Sequence, residues 1–345
     1  MIISQLDYFI LFVSSYLLVG VLTPLMRKIA ISKEILDYPN STHKSHSQPT
    51  PYLGGVAIIV GVVTITYSAL LFSDFTMSNF WLATSLLGPA VAMGLIGLWD
   101  DLKQLPPLPR LIGQTIAGVV VAVTLIITNN LGNPTGSTSL DMFISIIWVV
   151  GICNSINFFD NLDGGAAGTT AITAIALTYL AIIGDQSLIS SLSLVLVGAT
   201  LGFLIWNKSP ARIYMGDAGA LFLGVLLATL TIRLNPETDL TIASFSIPLL
   251  LLAVPILDTS VAVISRLRRR VSPFQGGKDH LSHRLIRLGL SRRKSALSLW
   301  LLSAFFALLA VVISINELGL ELALVIIAAS VWITLLASFL ATQDS

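Results

Sequence analysis

LDMFISIIWVVGICNSINFFDNLDGGAAGTTAITAIALTYLAII, residues 140–183, is the stretch that decides the fold. Two apolar runs, 140–156 and 168–183, lie on either side of a break marked by Asn154, Asn157, Asp160, Asp163 and the glycine pair Gly164-Gly165. Runs of this length approach the roughly 20 residues that a helix needs to cross a bilayer. They lack the period-two alternation of a barrel strand, and backbone amides in lipid must be satisfied within their own segment, so helices are the only reasonable choice. Amides and carboxylates at the end of a membrane span are costly and mark functional positions.

The same pattern continues outward to both ends of the chain. Apolar runs are read at 6–27, 54–72, 80–98, 111–128, 140–156, 168–183, 187–206, 218–234, 241–264, 296–315 and 319–340. Only 11% of the 345 residues are charged and 55% are hydrophobic, with a mean hydropathy of +0.88. A soluble domain carries roughly 25% charged residues, so this chain cannot cover a water-facing surface. The expectation is an all-α polytopic integral membrane protein of about eleven helices, a single transmembrane helical domain over residues 1–345. The net charge of +1 implies no nucleic-acid partner. The lone Cys153 has apolar neighbours and reads as a small core residue. The first run has almost nothing basic before it and no small-residue cleavage site after it, and reads as a retained span.

The loops separate into two classes. Those at 28–53, 99–110, 157–167, 207–217 and 265–295, with the adjoining helix ends, hold 18 of the 19 Lys and Arg residues, Arg233 being the exception. All four histidines fall there too. The alternate loops carry only acids. Basic loops mark the cytoplasmic side, which puts the N-terminus outside and the C-terminus inside.

Chemistry concentrates in those five basic loops. Lys44 and His46 precede Pro49, Pro51 and the pair Gly54-Gly55, where the backbone is free to turn into the second helix or approach a ligand, and both side chains are suited to phosphate. Asp100 and Asp101 are adjacent carboxylates at the negative end of a helix dipole, a conflict that a bound metal or a lysine such as Lys103 removes. Asn154, Asn157, Asp160 and Asp163 recur every three residues and share one face on a helical or 3₁₀ stretch. Their oxygens are what a hard cation takes, and amides also read a nucleobase edge. Asp217, between Gly216 and Gly219, opens a helix whose free N–H groups suit phosphate, although a plain N-cap explains it as well. Asp258 and the arginines Arg266, Arg268, Arg269 and Arg270 lead to His280 and His283 on an interfacial helix (279–289), where the two rings are near enough to share a phosphate. The arginines alone would also serve anionic lipid headgroups.

Taken in order, these motifs resemble those of the polyprenyl-phosphate N-acetylhexosamine-1-phosphate transferase family, which is related to the phospho-N-acetylmuramoyl-pentapeptide transferase of peptidoglycan synthesis. The family patterns H-x-x-P-x-P-x-x-G-G, G-x-x-D-D, N-x-x-N-x-x-D-x-x-D-G, M-G-D-x-G and H-L-x-H-R match His46 to Gly55, Gly97 to Asp101, Asn154 to Gly164, Met215 to Gly219 and His280 to Arg284. The resemblance spans about residues 40–290. It implies a multi-pass protein of the bacterial inner membrane with its active site on the cytoplasmic face. It also implies transfer of an N-acetylhexosamine-1-phosphate, N-acetylglucosamine-1-phosphate by default, from a UDP-sugar to undecaprenyl or another polyprenyl phosphate. UMP is released, and the step initiates a cell-envelope glycan such as O-antigen, teichoic acid or capsule.

By that resemblance Asp217 and Asn157 hold Mg²⁺, with Mn²⁺ as the alternative ion. Asp100, Asp101, His280 and His283 serve turnover, while Lys44, His46, Asn154, Asp160, Asp163, Arg266 and Arg284 bind substrate. A homodimer is admitted. Two departures stand out: Ser282 occupies the third position of a motif often written H-L-H-H, and Asn161 and Gly165 replace the usual Gly and Leu of D-G-L-D-G-L. The rival readings are the muramoyl-pentapeptide transferase, expected to have ten spans and a richer histidine run, and a secondary transporter, expected to show ionisable groups at mid-bilayer and repeated halves.

Overall fold

The computed structural model describes residues 4–38, 49–72, 76–128, 135–236, 241–273, 277–316 and 318–342. Its helices are α1 (Gln5–Ser32), α2 (Gly54–Phe72), α3 (Met77–Lys103), α4 (Pro107–Ile127), α5 (Thr138–Phe159), α6 (Gly165–Ile183), α7 (Ser187–Asn207), α8 (Gly216–Arg233), α9 (Thr241–Leu251), α10 (Ala253–Arg268), α11 (Leu281–Arg287), α12 (Arg292–Ser314) and α13 (Glu321–Ala341). Ten are long and apolar enough to cross a membrane, and α9 and α10 pass the same test together as a pair bent by 74°, which makes eleven when the pair is taken as one span. The fold is therefore an all-α polytopic bundle. The described residues add one pairing absent from the sequence expectation, the two-residue strands β1 (Leu36–Asp37) and β2 (Thr50–Pro51).

Burial is graded across the bundle. Every residue of α8 from Ala218 to Thr231 is buried, whereas α13 buries Ala328 alone. A helix apolar on all sides belongs at the centre or in lipid, and α8 takes the centre, packed between α3 and α5. That approach depends on small residues. A methyl group at Gly224 would lie 2.7 Å from Cys153 Cα, and Cys153 is fully buried with its Sγ–H donating to Leu221 O at 3.7 Å. The cysteine is a packing residue, as its apolar neighbours implied.

The bend between α9 and α10 replaces the straight span read at 241–264, and proline chemistry explains it. Pro255 has no N–H to give Leu251 O, so that carbonyl would be orphaned in an apolar interior. Thr173 Oγ1 in α6 donates to it at 2.8 Å. The turn is also tied to α13, where Trp332 Nε1 donates to Ala253 O at 3.0 Å. Pro24 in α1 is handled the same way: it frees Gly20 O, which receives Trp206 Nε1–H from α7 at 3.0 Å.

Candidate active site

Three segments far apart in sequence meet at the start of α8. Gly97 and Asp101 are four residues apart and share a face of α3. A Cβ on Gly97 would lie 2.3 Å from Asp217 O, so only glycine permits this contact between α3 and α8. One turn later the Asp101 carboxylate accepts from Asp217 N at 2.9 Å and from Ala218 N at 3.1 Å. These are two of the unpaired amides of a helix N-terminus. Asp217 is thus not the cap of its own helix, and the free N–H groups read as a phosphate seat are already taken by Asp101. On the other side, Gly54 N donates to Tyr214 O at 3.0 Å and Gly55 N to Met215 O at 2.8 Å. A Cβ at Gly55 would sit 2.1 Å from Gly219 N. The glycine pair serves a backbone approach, and what approaches is α8 itself.

Asp217 then points its carboxylate at two groups. Oδ1 accepts from Asn157 Nδ2 at 2.8 Å, and Oδ2 lies 3.0 Å from Arg110 Nη1. The same Nη1 is 2.7 Å from Asp100 Oδ2, while Asp100 Oδ1 accepts from Leu105 N at 2.6 Å. Asp100 and Asp101 therefore diverge despite adjacency: Asp101 fixes the α8 terminus, and Asp100 shares a guanidinium with Asp217. Tyr52 supports the pair by donating its hydroxyl to Asp101 O at 2.8 Å.

The Asn154–Asp163 segment does not present one face. Helix α5 runs on to Phe159, and a three-residue step on an α-helix falls about 60° short of a full turn. Asn154 consequently turns to α4, exchanging hydrogen bonds with Gln114 at 2.7 and 3.3 Å, and lies outside the cavity wall. Asn157 faces Asp217, while Asp160 faces the cavity and makes no side-chain hydrogen bond to a described residue. Burial, aided by the Asp217 and Asp163 charges, raises the Asp160 carboxyl to about 7. Asp163 accepts from Ala211 N at 3.2 Å and lies 3.8 Å from Arg292 Nη1. Gly164, at φ +73°, starts α6 and donates its N–H to Asn207 Oδ1 at 3.0 Å.

The histidine loop is a separate construction. His280 caps α11, which is shorter than the 279–289 helix expected. Its Nδ1 lies 2.7 Å from Asp258 Oδ2 and its Nε2 lies 3.2 Å from Arg266 Nη2. Arginine has only donors, so Nε2 accepts and the ring proton resides on Nδ1, facing Asp258. Arg266, 3% exposed, also binds Asp279 Oδ2 at 2.9 Å and Pro273 O at 2.7 Å; Asp279 in turn pairs with Arg269. Arg266 is a support for His280 and does not line the cavity. Arg284 is also withdrawn: fully buried, it donates to Asp279 O, Ser265 Oγ, Phe339 O and both oxygens of Thr342, anchoring the end of α13. His283 faces the cavity. Burial and the neighbouring His280 lower its pKa to about 4, so at neutral pH it is a neutral hydrogen-bonding group without positive charge. Ser282 Oγ donates to Asn161 Oδ1, so the two departures from the family pattern form one contact.

All five basic loops line one cavity of about 530 Å³. Its wall takes Asp37 and Tyr52 from the first loop, Asp100, Asp101, Gln104 and Leu105 from the second, and Asn157 and Asp160 to Asp163 from the third. Asn207, Tyr214, Gly216 and Asp217 come from the fourth, and Gly277, His280 and His283 from the fifth. Lys44 and His46 lie outside the described residues. Arg110, Gln114, Tyr52 and Asn207 are not singled out by the sequence, because each makes a site contact with a partner at least 40 residues away, Arg110 pairing in addition with Asp100 10 residues away.

Among the described residues no three carboxylate, histidine or cysteine side chains form a closed metal cage. Mg²⁺ does not require one, since it is usually held by one or two carboxylates together with substrate phosphates and water. Asp217, Asp160 and the amide oxygen of Asn157 supply the hard oxygen donors such an ion takes. The excess of acid over base at the cavity fits a cation.

The sequence pattern of the family described as Glycosyl transferase family 4 matches residues 83–235. The chain is 33% identical, over 92% of its length and 87% of the relative's, to a probable undecaprenyl-phosphate N-acetylglucosaminyl 1-phosphate transferase of Bacillus subtilis (strain 168). It is 34% identical to the decaprenyl-phosphate N-acetylglucosaminephosphotransferase of Mycolicibacterium smegmatis, over 80% of this chain and 74% of that one. A phospho-N-acetylmuramoyl-pentapeptide-transferase of Staphylococcus carnosus is 28% identical, over 68% of this chain and 78% of the relative.

Proposed function

The chain belongs to glycosyl transferase family 4, and from that premise we propose that it transfers N-acetylglucosamine-1-phosphate from a UDP-sugar to a polyprenyl phosphate, with release of UMP. The observation that carries this reading is the convergence of five loops on one carboxylate-rich cavity centred on Asp217. The two N-acetylglucosamine relatives, at 33% and 34% identity, favour that sugar over the muramoyl-pentapeptide donor of the 28% relative. The concentration of Lys and Arg in the loops that line the cavity supports a cytoplasmic face for it, where nucleotide sugars are found.

An oxygen of the lipid phosphate forms the new bond to the sugar-bearing phosphorus, and the bond from that phosphorus to the UMP oxygen breaks. Positioning and electrostatics supply most of the catalysis in phosphoryl transfer. Asp217, Asn157 and Asp160 would hold Mg²⁺, or Mn²⁺ in its place, and the chemistry supplied there would be neutralisation of diphosphate charge. Asp101 holds Asp217 in place through the α8 amides. Asp100 has both oxygens engaged, by Leu105 N and Arg110, and holds Arg110 beside Asp217. A phosphate monoester has its second pKa near 6, so the acceptor is already mostly dianionic at pH 7 and needs little help from a base. His283, kept neutral by burial, offers a hydrogen bond to the sugar-nucleotide, while His280, whose two ring nitrogens are taken by Asp258 and Arg266, is held as part of the wall beside it.

The test is a donor panel. Purified protein is given UDP-N-acetylglucosamine, UDP-N-acetylgalactosamine or UDP-N-acetylmuramoyl-pentapeptide, with and without polyprenyl phosphate. UMP release from UDP-N-acetylglucosamine, dependent on the lipid phosphate, is expected. Release only from the muramoyl-pentapeptide donor would transfer the protein to the rival reading.

A further inference from the structure

Arg110 is held unlike the other arginines of the interior. Arg284 places donors on five oxygens, and Arg266 engages Asp279, Pro273 and His280 through three different nitrogens. Arg110 makes its two ion-pair contacts through one atom: Nη1 lies 2.7 Å from Asp100 Oδ2 and 3.0 Å from Asp217 Oδ2. The planar fork that gives arginine its strong bidentate geometry goes unused. The side chain is 28% exposed and starts from the first turn of α4; Arg110 is not itself part of the cavity wall, but both carboxylates it touches are. One positively charged nitrogen bridging carboxylates from α3 and α8 stands where a small cation would relieve the same repulsion.

We infer that Arg110 is an internal competitor for the divalent cation, seated between Asp100 and Asp217 while the metal is absent and expelled toward the cavity when it binds. The inference rests on the cation reading of the proposed function and deepens it. Loading of the ion thereby releases a guanidinium beside the place where two polyanions must be brought together. Cation binding and anion binding are coupled through one side chain that either holds the Asp217 carboxylate or faces the substrates. Reciprocity of linkage requires that a bound phosphate ligand, by drawing Arg110 away, also tighten the cation.

The test uses the full-length protein in detergent and Mn²⁺ as the probe ion, with free Mn²⁺ read by electron paramagnetic resonance. Arg110→Gln is expected to bind Mn²⁺ about tenfold more tightly than wild type, because charge-assisted hydrogen bonds need not be broken first. A second arm separates displacement from a mere change of field and needs no variant: phenylglyoxal labelling of Arg110 in the wild-type chain, followed by peptide mass spectrometry. Labelling at Arg110 is expected to rise several-fold on adding Mn²⁺, and to stay flat in Asp217→Asn. Equal Mn²⁺ affinity in both proteins, or labelling that falls with the ion, would overturn the role of Arg110 while leaving the cation site intact. Absence of Mn²⁺ binding in wild type and variant alike would overturn both.

Discussion

Two polar networks border the same cavity and are built on opposite principles. In the histidine loop the charges close on themselves: Asp279 is paired with Arg266 and Arg269, Asp258 with His280 and the Leu281 amide, and Arg284 with backbone and hydroxyl oxygens. At the start of α8, Asp100, Asp101, Asp160 and Asp217 share one wall, and among the described residues the one cation paired with any of them is Arg110, which touches Asp100 and Asp217. The first network is complete as it stands and behaves as scaffold. The second has acid in excess among the described residues, which suits the cation proposed above. Removing a group from the scaffold should therefore cost stability, and removing one from the acidic centre should cost function.

The sharpest contrast is Asp217. Asp217→Ala is expected to lower UMP release by about 10³-fold or more, since a bound ion is worth several kcal/mol of charge stabilisation. Its thermal midpoint in detergent without metal should match or exceed wild type, because one of several like charges is gone. Arg266→Ala is the reverse case. It leaves Asp279 buried with a single partner, and breaking such a pair typically costs about 3–5 kcal/mol, visible as a large loss of thermal stability. A stable Arg266→Ala protein would dissolve the distinction between the two networks.

Asp258→Asn tests the finer claim that the scaffold sets a tautomer. The amide can no longer demand the His280 Nδ1 proton, so UMP release should fall by about 10- to 100-fold, the usual range for an outer partner that orients a histidine. The effect should fall on turnover with the fold retained, and an unchanged rate would mean that the His280 tautomer is irrelevant.

The smallest effect expected is one of pH. The Asp160 carboxyl sits near 7 in the folded metal-free protein, above its ordinary value, so folding favours its protonated form. Stability from this group is present below about pH 4 and is lost as pH rises through about 7. Thermal midpoints taken across that range should decline more in wild type than in Asp160→Asn, and Mg²⁺ should reduce the difference.

Much of this arrangement was legible in the chain, and the limits of legibility are physical. The G-x-x-D-D spacing could be read as one face of a helix, and Gly97 with Asp101 does meet Asp217 from one face of α3. Eleven apolar runs were visible because a lipid-facing surface leaves no room for charge. The bend at Leu252 was not, although Pro248 and Pro255 were in view, because a proline's freed carbonyl either breaks the helix or finds a partner, and the partners here, Thr173 and Trp332, lie in other helices. The three-residue recurrence from Asn154 to Asp163 suggested one face, yet helical geometry rotates each step away from the last, and Asn154 ends on Gln114 instead of the cavity. Arg110 counted only as one more basic residue in its loop. Its bridge to Asp217 spans 107 positions, and nothing local announces it.

The central claim is that Asp217, Asn157 and the acidic pair build a single cation-centred pocket. Crystals of the protein soaked in Mn²⁺ and measured at the manganese absorption edge test it directly. One anomalous peak about 2.1 Å from an Asp217 carboxylate oxygen, with Asn157 and Asp160 beside it, is the expected result. A peak elsewhere, or no peak at saturating Mn²⁺, would contradict it.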